Sequence, residues 1–161
     1  MIKFAKVINE QMGLCNVGVG TNVDFYKSIG MSELDVQQSD IDNKWYLKEK
    51  CPMKSEAEKD KERQQEISML SLTSADVERG IYKATGKDFD DVVAMVEAVI
   101  ASGNEAIQID IKALKIELKA NNFYRGNPYV DSIGMLLGFT KEQLDQFFET
   151  NDYTKLLKVE E

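Results

Sequence analysis

Hydrophobic and polar positions alternate along the first third of the chain, which is typical of strands. Residues 4–8 and 14–19 alternate with a period of two, and Gly13 between them can supply a turn, so the pattern predicts a β-hairpin. A capping Asn22 and a stop at Gly30 predict a short helix over residues 23–28. Residues 34–38 fit either a strand or a helical turn. Residues 45–48 predict a third strand that ends before Pro52.

The stretch from Lys54 to Glu66 is charged at most positions and has no apolar stripe. Its residues favour a helix, but the sequence offers no evident cap and no amphipathic face. Two interpretations stay open for this stretch, a helical connector exposed to solvent and a mobile linker.

Helix start and stop signals follow one another through the last ninety residues. We predict five short helices, which begin near residues 74, 89, 104, 128 and 141, and we place the third over residues 104–120. Thr73 with Asp76, Asp88, Asn127 before Pro128, and Thr140 with Gln143 supply the caps. Short connections between apolar-striped helices favour one shared core.

The patterns together predict an α+β chain in three parts. Residues 1–53 form a small β-rich unit, residues 54–70 a charged helical connector, and residues 71–161 an all-α domain of about five helices. A unit of about 50 residues is close to the lower size limit for independent folding, so we expect it to need its neighbour or a second copy of itself.

Charge narrows the class of partner. The chain carries a net charge of −8, and residues 71–161 hold ten basic and sixteen acidic side chains. An acidic surface repels phosphate backbones, so we expect a protein partner and no direct contact with nucleic acid. No apolar run is long enough to cross a bilayer and no signal peptide is evident, so we expect neither a membrane partner nor export.

The sequence contains no histidine, which excludes histidine-dependent nucleophiles and most zinc sites. Asp88, Asp90 and Asp91 are typical of a helix N-terminus, and Asp40 and Asp42 of a polar turn, rather than of metal ligands. The two cysteines, Cys15 and Cys51, are expected to be free thiols, with a disulfide between them as the alternative. We therefore predict no enzymatic activity, no cofactor and no metal.

Aromatic and charged residues outside the predicted core are the candidates for partner binding. Arginine and aromatic side chains are typical interface anchors. Four acids at i, i+3, i+7 and i+10 form one acidic stripe on the last predicted helix, which is either a solvated face or a docking surface for a basic partner. Residues 123–129 are predicted to form a loop between helices, and two interpretations of it stay open. Either its aromatic and arginine side chains are interface anchors, or Phe123 and Tyr129 fill the core while Arg125 pairs with an acid. The candidates are Trp45, Tyr46, Tyr124, Arg125, Tyr129, Glu142, Asp145, Glu149 and Asp152.

Several short motifs along the chain form a recognisable set. They are residues 6–10, Phe25-Tyr26 with Gly30-Met31, Trp45-Tyr46-Leu47, residues 123–127, Gly134, residues 137–140, Phe147-Phe148 and residues 151–153. In these motifs the chain resembles small proteins encoded in the tail-module regions of bacteriophages and prophages. Its linker departs from theirs, since it is more charged and lacks their run of prolines.

The resemblance implies a phage origin and a fold more than an activity, and the family offers no catalytic residues. We therefore expect a non-catalytic role through protein–protein contact, most simply as a tail or virion accessory or assembly factor. The alternative is a phage-encoded inhibitor of a host defence nuclease, of the anti-CRISPR type, which would use its acidic surface to cover a basic channel. The partner is then a phage structural protein or a host defence protein, and a homo-oligomer is possible. We expect the protein in the cytoplasm of the bacterial host, or associated with the virion.

Overall fold

The computed structural model describes residues 1–103 and 109–158 and shows an α+β chain. The chain divides into two compact units, Met1–Asp60 and Lys61–Glu161, and the division falls within a helix. The first unit is β-rich and the second is helical, as the patterns predict. Among the described residues, no helix is long and apolar enough to span a membrane.

Four antiparallel strands close the first unit into a small barrel, in the order β1-β2-β4-β3. The strands are β1 (Ile2–Asn9), β2 (Leu14–Val17), β3 (Ser32–Gln38) and β4 (Trp45–Leu47). The β1–β2 hairpin is confirmed, with Val7 opposite Cys15 and Gly13 at φ +70° in the turn. The ambiguous residues 34–38 are strand, because β3 pairs with both β1 and β4 and so completes the closure.

The barrel has a very small core. Ala5, Cys15 and Val36 form its buried cluster, with parts of Trp45 and Leu47 packed against it. Helix α1 (Val23–Ser28) follows β2 and buries none of its residues. Both cysteines are free thiols, as predicted, and burial raises the pKa of each.

Helix α2 (Glu56–Met69) shows that the charged stretch is helical. The expectation that this stretch lacks a cap is wrong. The Ser55 hydroxyl accepts from the Glu58 backbone N–H at 3.2 Å, and the Glu58 carboxylate accepts from the Ser55 N–H at 2.8 Å. This is a capping box, and the Ser-x-x-Glu spacing signals it in the sequence.

After α2, five α-helices among the described residues of the second unit surround one apolar core. They are α3 (Ser74–Thr85), α4 (Phe89–Ala101), α5 (Ile111–Glu117), α6 (Pro128–Leu137) and α7 (Lys141–Thr150). Thr73, Asp88, Asn127 and Thr140 cap their helices as predicted. The predicted start of the third helix, with Asn104 and Ile107, lies outside the described residues. Asp110 caps α5, and the prediction that this helix continues to Ala120 is wrong because the last helical residue is Glu117.

A two-stranded ribbon in the second unit was not evident from the sequence. Strand β5 (Ser71–Thr73) pairs with β6 (Asn122–Tyr124), with Leu72 opposite Phe123. The two strands have three residues each and their pairing joins residues about fifty positions apart, so no local pattern of the sequence signals it. Residues 122–124 are therefore a strand and not a loop. Their pairing with β5 fixes the backbone position of the next residue, Arg125.

Candidate binding surfaces

Strand β6 positions Arg125 next to the C-terminal end of α2. The Arg125 N–H donates to the Leu70 carbonyl at 2.8 Å, and the Gly126 N–H donates to the Ser68 carbonyl at 3.0 Å. A Cβ at Gly126 would lie 2.9 Å from the Ser68 Cβ, so only glycine permits this close approach without a shift. These backbone hydrogen bonds therefore fix the position of the Arg125 backbone independently of its side-chain contacts.

The Arg125 side chain is buried and ties together the two last helices. It is 6% exposed. Its Nε donates to Asp145 Oδ1 of α7 at 2.6 Å, and its Nη1 donates to Asp131 Oδ1 of α6 at 2.9 Å. A longer contact of 3.5 Å joins Nη2 to the Lys141 carbonyl. Hydrogen bonds between charged partners are among the stronger ones, so Arg125 fixes α6 and α7 at this end.

These groups form one wall of a polar cleft of about 260 Å³, which we call the Arg125 cleft. The rest of the lining comes from α2 and from the start of α7. With two cationic and three anionic side chains, the lining has a formal net charge of −1. Its residues are Gln64, Ile67, Ser68, Arg125, Gly126, Asp131, Lys141, Glu142 and Asp145.

The structure divides the predicted acidic stripe. Asp145 pairs with Arg125, and Glu149 pairs with Arg63 at 3.1 Å. Asp152 lies beyond α7, where it accepts from the Thr154 N–H at 3.0 Å, and that hydrogen bond lowers its pKa. Only Glu142 is exposed and makes no ion pair with any described residue. The expectation of one continuous acidic face is therefore corrected to a single free carboxylate at the rim of the Arg125 cleft.

The aromatic and arginine candidates also separate by exposure. Tyr124 is 58% exposed, while Tyr129 is half-buried and packs against the helical core. Arg125 follows the second of its two interpretations, since it is buried and paired with acids, and it is unavailable as an exposed anchor.

Of the barrel candidates Trp45 and Tyr46, which are neighbours on β4, Tyr46 is part of the core and Trp45 is partly exposed. Trp45 is half-buried against the barrel core, and the Lys3 Nζ lies 4.7 Å from the centre of its ring. Tyr46 is 3% exposed, and its hydroxyl donates to Asp42 Oδ2 at 2.8 Å. This hydrogen bond raises the pKa of Tyr46, and the pKa of Asp42 is lowered chiefly by the N–H of Lys44 and then by Tyr46.

A second exposed surface lies on the barrel, and its members did not appear among the sequence candidates. Tyr26 of α1 stacks on Phe4 of β1, with ring centres 6.1 Å apart, and its hydroxyl accepts from the Gly20 N–H. Phe25 of α1 and Ile29, the residue that caps the C-terminal end of α1, lie four positions apart and remain 53% and 45% exposed. We call Phe4, Phe25, Tyr26 and Ile29 the α1 face. The Phe-Tyr pair followed by an isoleucine at i+4 was the signal that could have indicated it.

The other acidic clusters have structural roles. Asp88 and Asp91 form a reciprocal capping box at the start of α4. Asp42 accepts from the Lys44 N–H at 3.0 Å, and Asp40 accepts from the Lys54 N–H at 2.8 Å. Across residues 1–103 and 109–158, no group of three or more potential ligands could hold a metal ion.

Comparison with protein-family models, with curated proteins and with solved structures finds no match to this chain. The two surfaces, the Arg125 cleft and the α1 face, are therefore interpreted from their own chemistry.

Proposed function

We propose that the protein is a non-catalytic assembly or accessory factor that acts through protein–protein contact, with the barrel associating with further copies of itself through the α1 face. The observation that carries the proposal is the α1 helix, which has six residues, buries none of them and, with the C-cap residue Ile29, exposes the side chains of Phe25 and Ile29. The role agrees with the phage origin that the family resemblance implies.

The physical argument rests on how little stabilises this unit. A helix of six residues is too short to be stable by itself, and within its own chain α1 is held mainly by Tyr26. The barrel buries a cluster of only three residues and its two cysteines are unpaired, so no disulfide compensates for the small core. Association is a common source of the missing stability in such small units.

The surface needed for association is modest. A stable interface takes about 800 Å² from each partner, which is roughly 7% of the 10872 Å² exposed by the chain. Covering Phe25 and Ile29 would contribute about 1 kcal/mol each per chain, since each is about half exposed already. The α1 face thus has the chemistry of the apolar centre of an interface.

The inhibitor alternative receives less support. Channel mimicry needs a row of free carboxylates, whereas Asp145 and Glu149 are paired with arginines of the same chain. One free carboxylate on α7, Glu142, is too few to imitate the row of phosphates of a nucleic acid. The assembly role is therefore the one we retain.

The solution mass of the full chain tests this proposal. We expect light scattering after size-exclusion chromatography to give a multiple of 18.2 kDa that does not change on dilution. Phe25→Asp should reduce the mass to 18.2 kDa. Ile116→Asp, at a side chain 70% exposed on α5, is the matched control and should leave the mass unchanged. A wild-type mass of 18.2 kDa at every concentration would overturn the proposal.

A further inference from the structure

Two glycines between β2 and α1 are not explained by their backbone conformation. Gly18 and Gly20 flank Val19, and neither glycine has a φ in the left-handed region. The Tyr26 side chain explains them instead. A Cβ at Gly18 would lie 2.7 Å from Tyr26 Cε1, and a Cβ at Gly20 would lie 2.8 Å from the Tyr26 hydroxyl oxygen. The two glycines therefore leave a space that the Tyr26 ring occupies, and we call Gly18 and Gly20 the glycine cradle.

Tyr26 is held at the glycine cradle by a hydrogen bond and by a ring contact. Its hydroxyl accepts from the Gly20 N–H, and its ring stacks on Phe4 with centres 6.1 Å apart. The Gly18 N–H donates to the Phe4 carbonyl at 2.8 Å, so the cradle and the stacking partner are tied to each other. The Phe25 ring meets the Tyr26 ring edge-on at 5.6 Å. The position of Tyr26 therefore determines that of the exposed Phe25.

Little else orients the α1 helix. It has six residues, none of them buried, and a helix of this length is not stable by itself. Among the described residues, its other side-chain hydrogen bonds are local. The Asn22 side chain accepts from the Phe25 N–H at 3.0 Å, and the Ser28 hydroxyl donates to the Phe25 carbonyl at 2.6 Å. These bonds stabilise the helix without attaching it to a strand, so the packing of Tyr26 decides how α1 lies on the barrel.

We propose that Tyr26, packed in the glycine cradle, is the positioning residue of the α1 face. It holds Phe25 and Ile29 in the arrangement that binds a second copy of the chain. The affinity for that copy then falls in proportion to the fraction of chains in which the ring occupies the cradle. This inference rests on the proposed self-association, and it names the contact within the chain on which that association depends.

A compensating pair of substitutions tests the inference. Gly20→Ala places its Cβ against the Tyr26 hydroxyl oxygen, and this overpacking should raise the dissociation constant of self-association about tenfold. Tyr26→Phe removes that oxygen and keeps the ring, so by itself it should change the constant by less than about threefold. Combined with Gly20→Ala, it should restore the constant to within about threefold of the wild type. Sedimentation velocity over a dilution series into the nanomolar range measures each constant.

Gly18→Ala is the matched control, because its Cβ would meet ring carbons that phenylalanine also has. It should weaken association equally in the wild type and in the Tyr26→Phe variant, without rescue. The ¹⁵N amide spectrum of each variant reports whether the barrel is intact.

Three outcomes would overturn the inference. In the first, the double variant associates as weakly as Gly20→Ala alone, so Tyr26 does not act through the cradle. In the second, Phe25→Asp dissociates the assembly while neither glycine variant weakens it, so the inference fails and the proposed function stands. In the third, the wild type is monomeric at every concentration, which removes both.

Discussion

At the scale of single residues, the most consequential side chain is that of Arg125, a charged group that the fold removes from water. Arg125 is 6% exposed and faces Asp131 and Asp145, whose side chains are 40% and 21% exposed. Its burial is tolerated because both carboxylates and a backbone carbonyl accept from it. The same arginine at the surface would add little to stability.

Replacing Arg125 by methionine should destabilise the helical unit by about 2–4 kcal/mol. The change leaves two carboxylates facing each other without their cation, and the partial exposure of both acids keeps the loss below that of a fully buried pair. Urea unfolding followed by circular dichroism at 222 nm measures it.

Arg79→Met is the control, since Arg79 is 59% exposed and pairs with Asp76 at 2.8 Å. That loss should stay below about 1 kcal/mol. Equal losses in the two variants would show that Arg125 contributes no more than a surface ion pair.

At the scale of elements, two glycines set how closely the helices pack on α7. A Cβ at Gly80 of α3 would lie 2.7 Å from Phe147 Cε2, and a Cβ at Gly134 of α6 would lie 2.5 Å from Leu144 Cδ1. Phe147 and Leu144 are themselves buried, so neither can move aside freely. Glycine has a poor helix propensity. It nevertheless occupies both positions inside these helices because the packing leaves no room for a methyl group.

Gly80→Ala should lower the free energy of unfolding by about 1–2 kcal/mol. Overpacking against Phe147 costs about 1–3 kcal/mol, which outweighs the gain of about 1 kcal/mol in helix propensity. Chemical denaturation of the full chain measures the difference.

Ala94→Gly at an exposed position of α4 calibrates the propensity term and should by itself cost about 1 kcal/mol. If Gly80→Ala instead stabilises the chain by the amount that Ala94→Gly loses, the close contact with Phe147 does not constrain the helix.

At the scale of the whole molecule, the chain has two hydrophobic clusters of very different size. The barrel cluster consists of Ala5, Cys15 and Val36. Among the described residues, the helical cluster has fourteen buried apolar side chains, four of which are phenylalanines. Hydrophobic stabilisation scales with the apolar area removed from water, so the barrel is the less stable of the two by itself.

We predict two unfolding transitions, with the barrel unfolding at the lower urea concentration. Trp45 is the only tryptophan and lies in the barrel, so its fluorescence follows that unit, while circular dichroism at 222 nm follows mainly the helices. Val36→Ala should move the fluorescence transition and Phe147→Ala the circular dichroism transition. Coincident transitions in the wild type would contradict the prediction and show that the two units unfold together.

The sequence by itself determined the fold class and most helix boundaries. Caps and stops act over three or four residues, so Thr73, Asp88, Asn127 and Thr140 indicate their helices whatever surrounds them. The β1–β2 hairpin is predictable for the same reason, because its turn and its alternation are local.

Only the tertiary structure decided what the candidate residues do. Residues 34–38 could be assigned to a strand only from the pairing of β3 with β1 and β4. Strands β5 and β6 pair although about fifty residues separate them in the sequence. The contacts of Arg125 with residues 6 and 20 positions away turned a possible anchor into a buried ion pair. Exposure and pairing depend on contacts between residues far apart in the chain, and a local pattern carries no record of them.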